Sequence, residues 1–160
     1  MNSTKATIVR LFASGLYSGL SPTIPGTTGT LPALVLAWFV GYKGASWMIP
    51  ATLIMTLASV WLASEAEELF GHDSKKIVID EWAGMFIALL FVPHTWTSYL
   101  LAFAAFRILD AIKILGAAQA ESLPRGWGVT ADDVVAGIQA NLITQLFVWI
   151  FPTVLALGQV

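Results

Sequence analysis

Four stretches of the chain contain no Asp, Glu, Lys or Arg: Leu11–Tyr42, Gly44–Ser64, Trp82–Phe106 and Val134–Val160. A helix that crosses a bilayer needs about 20 mostly apolar residues. Gly44–Ser64 and Val134–Gly158 meet that length and are read as spans. The first stretch is broken at residues 18–30, SGLSPTIPGTTGT, where two prolines and three glycines predict a loop with a helix restarting near Leu31. Leu31–Tyr42 is twelve residues, about 18 Å of helix. It is a short immersed helix or one arm of a hairpin with residues 46–63.

Trp82–Phe106 poses a choice of topology. As one span it puts Asp80 and Asp110 on opposite sides of the membrane. As a hairpin turning at Pro93-His94-Thr95 it returns both to the same side. The hairpin needs arms of about Ser74–Val92 and Thr95–Leu115, each roughly 28–31 Å long. Asp80, Glu81, Arg107 and Asp110 then lie within helices near one membrane face, a placement that requires partners for the charges. The hairpin is the preferred reading.

All ten acidic residues fall between Glu65 and Asp133. Glu65, Glu67 and Glu68 fit a solvated loop. Asp80, Glu81, Asp110, Asp132 and Asp133 sit inside or against apolar segments and are read as a polar site at the membrane surface. Lys5, Arg10, Lys75, Lys76, Lys113 and Arg125 all fall on the side of these acids, and Lys43 alone lies opposite. By the positive-inside tendency that side is cytoplasmic. The expectation is a single domain over residues 1–160: an all-α, polytopic membrane helical bundle with short hairpins and a cytoplasmic-face polar site.

Composition agrees with that class. The chain is 57% hydrophobic and 11% charged, with a mean hydropathy of +0.76. A net charge of −2 gives a nucleic-acid partner no electrostatic support. The absence of cysteine removes disulfides, thiolate metal sites and cysteine-based phosphatase chemistry. The N-terminal MNSTKATIVRLF has two positive charges but no clear cleavage site and is not read as a signal peptide.

Four polar constellations recur on the acidic side. Residues 19–30 offer glycines that let backbone N–H groups approach an anion, followed by a helix N-terminus; a capped turn is the plainer reading. No Gly-Lys-Ser/Thr follows, so this is not a Walker loop. The second block, His72-Asp73 to Ile79-Asp80-Glu81-Trp82, places adjacent carboxylates about 100° apart on a helix and favours metal binding, with His72 an interfacial residue. In the third, Arg107, Asp110 and Lys113 are three apart and stack on one helical face, as an ion-pair stripe or as a grip for phosphate beside a metal. The fourth is a glycine-rich loop, residues 125–131, leading to Asp132 and Asp133 at the start of the last apolar helix. One Asp suffices to cap that helix; the second needs another role. Up to five carboxylates with little His and no Cys suit a hard cation, Mg²⁺ first.

In this order the four blocks resemble the phosphatidylglycerophosphatase A family of bacterial membrane lipid phosphatases. The likeness runs from about Gly15 to Gly137 through GLSPTIPGTTGTLPAL, HDSKKIVIDEWAGMFIALL, FRILDAIK and GVTADDVVAG. The resemblance implies Mg²⁺-dependent hydrolysis of phosphatidylglycerophosphate to phosphatidylglycerol and inorganic phosphate, at the cytoplasmic face of the inner membrane. It implies Asp80, Glu81, Asp132 and Asp133 as metal-site residues, with Asp110 as a fifth. Catalytic duty falls to Asp80, Glu81 and Asp133, with Glu81 or Asp80 orienting or deprotonating the water. Arg107 and Lys113 would hold the phosphate, helped by Thr27, Thr28 and Thr30. Two positions depart from the family pattern: Ile114-Leu115-Gly116 follow Lys113 where prolines are usual, and Arg125 stands where the first of two adjacent glycines is usual.

Competing motifs are absent. The DGxxARxxGxxxxxGxxxDxxxD run of CDP-alcohol phosphotransferases does not occur, nor does the DxDx(T/V) pattern of phospho-aspartyl enzymes. The two histidines, His72 and His94, lack a membrane acid-phosphatase setting. A small transporter or ion-binding membrane protein is the remaining alternative. It predicts acids spread through the bilayer and does not need the Arg107–Lys113 pair. Membrane lipid is an expected partner, and homo-oligomerisation is left open.

Overall fold

The computed structural model describes residues 2–71, 74–114, 116–120 and 123–153. The elements are α1 (Ser3–Ala13), a 3-10 turn (Ser18–Leu20), α2 (Pro25–Gly41), α3 (Ala45–Phe70), α4 (Ile79–Ala88), α5 (Trp96–Ile112), α6 (Ala117–Ala120) and α7 (Gly126–Ile150). Among the described residues there is no strand. Helices α3 and α7, 26 and 25 residues long, are apolar enough to cross a bilayer. Side chains such as Phe39, Leu53, Ile54, Leu142 and Trp149 are exposed around the bundle, as expected where the surrounding solvent is lipid. The chain is an all-helical membrane protein.

Helices α2 and α3 form a hairpin through the tight turn Tyr42–Gly44, and α4 and α5 form a second one. Residues 89–95 turn the α4–α5 chain, so Asp80 in the first turn of α4 and Asp110 in the last turn of α5 return to one end of the bundle. Helix α4 is shorter than the sequence suggests. It begins at Ile79 and ends at Ala88, about 15 Å, too short to cross. Its buried carbonyl end is satisfied from α7, where Asn141 Nδ2 lies 3.2, 3.1 and 2.7 Å from the carbonyls of Ile87, Ala88 and Leu90 and shares its two protons among them. A backbone end buried in an apolar bundle needs such partners.

Three further boundaries differ from the sequence reading. Helix α2 starts at Pro25, not near Leu31, because Pro25 fits the first helical position, where its missing N–H costs nothing. Helix α7 starts at Gly126, so the supposed loop at 125–131 is helical beyond Arg125. Gly126 is needed there because a Cβ would strike the Val60 carbonyl and Ser64 on α3; its N–H instead reaches Ser64 Oγ at 3.1 Å. Helix α3 stays helical through Phe70, so Glu65, Glu67 and Glu68 lie on a helix and not in a loop. Glu65 pairs with Lys5, tying α1 to α3.

The opposite end of the bundle carries an aromatic cluster. Trp38 stacks on Trp96 with centroids 3.8 Å apart, and His94 Nε2 lies 2.8 Å from the Trp38 carbonyl. Such clusters suit the headgroup level of a bilayer. His94 is thereby occupied far from the acidic residues.

Candidate active site

Helices α4 and α7 set the site because they cross at glycines. A Cβ on Gly137 would strike the Gly84 carbonyl, and one on Gly84 would lie 2.7 Å from the Asp133 carbonyl. Gly84 is one turn beyond Asp80, and Gly137 is one turn beyond Asp133. The close crossing therefore holds these two aspartates against each other at the bundle end. Both are buried, as is Asp132.

A cleft of about 500 Å³ opens above them. Its lining joins all four polar constellations: Pro25, Gly26 and Thr27 from α2; Asp80 and Glu81 from α4; Arg107 and Asp110 from α5, with Lys113 just past its end; Asp132 and Asp133 from α7. The α2 N-terminus supplies the N–H groups of Gly26 and Thr27, which have no intrahelical acceptor. Gly26 is required for that approach, since a Cβ would collide with Arg107 and Glu81.

Arg107 is the hub of the cations. Its Nη1 contacts Asp110 Oδ2 at 2.9 Å and Glu81 Oε1 at 3.1 Å. Glu81 Oε2 accepts from Thr30 Oγ1 at 2.8 Å, and the same hydroxyl lies 2.8 Å from the Gly26 carbonyl. One hydroxyl proton can serve one of these acceptors at a time. Lys113 does not continue the stripe of α5. It caps the helix in the left-handed conformation, φ 44° and ψ 53°, which non-glycine residues seldom adopt. That bend carries its Nζ across to Asp132 Oδ2 at 2.9 Å.

The carboxylates are crowded. Burial raises the Asp80 carboxyl well above its ordinary value, with Glu81 adding to the shift. Burial lifts Glu81 to about 7 against the opposing pull of Arg107 and Thr30. Asp132 Oδ1 and Asp133 Oδ1 are buried without a hydrogen-bond partner, an unfavourable state for oxygens that carry charge. Positive charge beyond Arg107 and Lys113 fits this donor set. Among the described residues, however, no three carboxylates converge as a ready ligand set: Arg107 holds Glu81 and Asp110, and Lys113 holds Asp132.

The sequence-derived candidates divide accordingly. Thr27 lines the cleft, whereas Thr30 is fully buried behind Glu81 and serves it as a hydrogen-bond partner. Thr28 faces away: its hydroxyl lies 2.9–3.1 Å from the carbonyls of Ser18, Ile24 and Pro25. His72 lies outside the described residues. Ser74 and Lys75 line the cleft and were not singled out from sequence; Lys75 could have been found as a cation in the loop that enters α4.

Comparison with known proteins covers the same part of the chain. The family model described as phosphatidylglycerophosphatase A matches residues 11–148. A Bacteroides thetaiotaomicron protein, named provisionally as a phosphatidylinositol-3-phosphatase, is 36% identical over 148 residues, covering 88% of this chain and 93% of its own. Phosphatidylglycerophosphatase A of Haemophilus influenzae is 34% identical, covering 84% and 85%. Phosphatidylglycerophosphatase A of Escherichia coli is 34% identical, covering 80% and 76%. No solved structure matches.

Proposed function

The chain belongs to the phosphatidylglycerophosphatase A family, and we propose that its cleft removes the terminal phosphate of phosphatidylglycerophosphate in a Mg²⁺-dependent reaction. The products are phosphatidylglycerol and inorganic phosphate. The observation that carries this reading is the union, in one cleft, of a helix N-terminus, Arg107, Lys113 and the buried aspartates with unpartnered oxygens.

Asp80 and Asp133 would hold Mg²⁺, whose all-oxygen preference they match, and Asp132 would join them once Lys113 turns to the phosphate. Bound there, the cation would neutralise charge on phosphoryl oxygens and acidify an attacking water. Arg107 grips the terminal phosphate, with Lys113 and the N–H groups of Gly26 and Thr27 completing the anion seat. Asp110 and Glu81 fix the guanidinium in place. Glu81, at the cleft wall, takes the proton of the attacking water. The water oxygen bonds to phosphorus as the bond from phosphorus to the glycerol oxygen breaks, and that departing oxygen takes up the proton Glu81 gained.

The cleft end also collects the cations. Arg10 and Lys76 both lie over the Phe70 ring at 5.9 Å, Lys5 pairs with Glu65, and Lys43 sits in the turn at the far end of α2. This distribution supports a multi-pass chain whose cleft faces the cytoplasm.

The test is phosphate release from phosphatidylglycerophosphate, phosphatidic acid and phosphatidylinositol 3-phosphate by the purified chain in detergent. Release chiefly from the first supports the assignment. Release chiefly from the inositol lipid would reassign the substrate, as the name of the Bacteroides relative suggests. Release from none would remove the phosphatase reading.

A further inference from the structure

A second concavity, about 690 Å³, lies on the lipid side of α2. Thr28, Leu31, Val35 and Phe39 contribute one stripe of that helix, spaced three or four residues apart. Phe12 and Leu16 of α1 and the turn after it form the opposing wall, and Trp82 forms the floor. No polar group is offered to it. The Thr28 hydroxyl is turned to backbone carbonyls, and Trp82 Nε1 donates to the Gly29 carbonyl at 2.8 Å. A headgroup has nothing to bind there. A hydrocarbon chain does.

Two relationships identify which chain. The partition between groove and cleft is one residue thick at two points: Thr27 lines the cleft and Thr28 the groove, and Glu81 lines the cleft and Trp82 the groove. The groove also has the right depth. From Thr28 to Phe39 the helix rises about 16 Å, close to one leaflet of a hydrocarbon core about 30 Å thick. It begins beside the anion seat and runs away from it along α2.

We infer that this groove seats one acyl chain of the lipid whose phosphate occupies the cleft. The inference rests on the phosphatase reading for the identity of the headgroup. It makes α2 a double-sided element: its N-terminal N–H groups face phosphate, and its side chains guide the tail. Substrate selection then includes chain length, because a tail too short to fill the groove leaves its α2 wall without the van der Waals contacts that a long tail makes.

The experiment compares kcat/KM on dioleoyl and dihexanoyl phosphatidylglycerophosphate for wild type, Val35→Trp and Leu142→Trp. Leu142 is 62% exposed on α7 and lies outside the groove. Val35→Trp is expected to lower the long-to-short ratio severalfold by filling the groove in place of the long tail, while Leu142→Trp keeps the wild-type ratio. An unchanged ratio, or an equal loss on both substrates, overturns the inference. A change in oligomer size with an unchanged ratio assigns the groove to a second copy of the chain. A second readout is independent of turnover: photolabelling of the wild-type groove by phosphatidylglycerol bearing a diazirine in its acyl chain. Competition by unlabelled phosphatidylglycerol but not by phosphatidylcholine is the expected result. Equal competition by both means bulk lipid and overturns the inference, whether or not phosphate is released.

Discussion

Gly84 and Gly137 meet backbone to backbone where α4 crosses α7, and each stands one helical turn beyond a cleft aspartate. The crossing sets the separation of Asp80 and Asp133. Replacing Gly137 with Ala forces a Cβ into the Gly84 carbonyl, and helix backbones cannot yield as a flexible side chain can. Overpacking of this kind costs about 1–3 kcal/mol. Displacement of the aspartates by about 1 Å is expected to lower kcat on the order of 100-fold. Steady-state phosphate release and thermal unfolding in detergent check both effects. A Gly137→Ala protein with wild-type kcat would show that the crossing does not position the site.

Asn141 is expected to matter for stability although it lies far from the cleft. Its amide supplies the carbonyl end of α4. Asn141→Leu removes that donor from the Ala88 and Leu90 carbonyls in an apolar setting, while Ile87 keeps the Leu90 N–H at 3.1 Å, at a cost of about 1–3 kcal/mol. Asn141→Asp should be no better, since a carboxylate cannot donate. Thermal unfolding of both variants tests this, and wild-type stability in either would refute the capping role.

Thr30→Val keeps the side-chain shape and removes the hydroxyl that Glu81 Oε2 accepts from. A hydrogen bond to a charged group contributes about 1.5–3 kcal/mol. Without it Glu81 and the Arg107 it holds lose their fixed position, and kcat/KM is expected to fall at least about tenfold alongside a fall in unfolding temperature. A matching loss of stability with unchanged kcat/KM would assign Thr30 to the core alone.

Arg125 occupies a backbone conformation of φ 55° and ψ −149° immediately before α7, a region suited to glycine. Such strain costs about 1–3 kcal/mol, while glycine adds about 0.5–1 kcal/mol of unfolded-state entropy. Arg125→Gly is therefore expected to stabilise by about 1 kcal/mol, or about 2–4 °C in unfolding temperature. The departure from the family pattern at this position is thus a side-chain change on a backbone that still has glycine geometry. A lower unfolding temperature for Arg125→Gly would contradict this.

The α4–α5 hairpin was legible because Pro93-His94-Thr95 interrupts an apolar stretch whose flanking charges need to share one side. The grouping of Asp80, Glu81, Arg107, Asp110, Asp132 and Asp133 follows from that turn. The starts of α2 and α7 were not legible. Gly26 and Gly126 read as loop punctuation, yet both are helical residues whose missing Cβ admits a neighbour: Arg107 and Glu81 in one case, α3 in the other. Spacing alone cannot distinguish a glycine that bends the chain from one that lets two elements touch. Lys113 shows the same limit. The three-residue spacing stacks it on Arg107 and Asp110, but the helix ends there and the side chain turns to α7. Asn141 carries a signal of its own, one of three amides, with Gln139 and Gln145, in an otherwise apolar stretch of α7.

In the proposed reaction the buried aspartates of α4 and α7 would hold the cation that phosphate hydrolysis needs. Phosphate release from phosphatidylglycerophosphate is measured across a Mg²⁺ titration for wild type, Asp80→Asn, Asp133→Asn and the double variant. The expected result is no release without Mg²⁺, a weakened Mg²⁺ response in each single variant, and a double variant little worse than either, because the two residues act as a unit. Mg²⁺-independent release by wild type, or single variants whose Mg²⁺ dependence matches wild type, would contradict it.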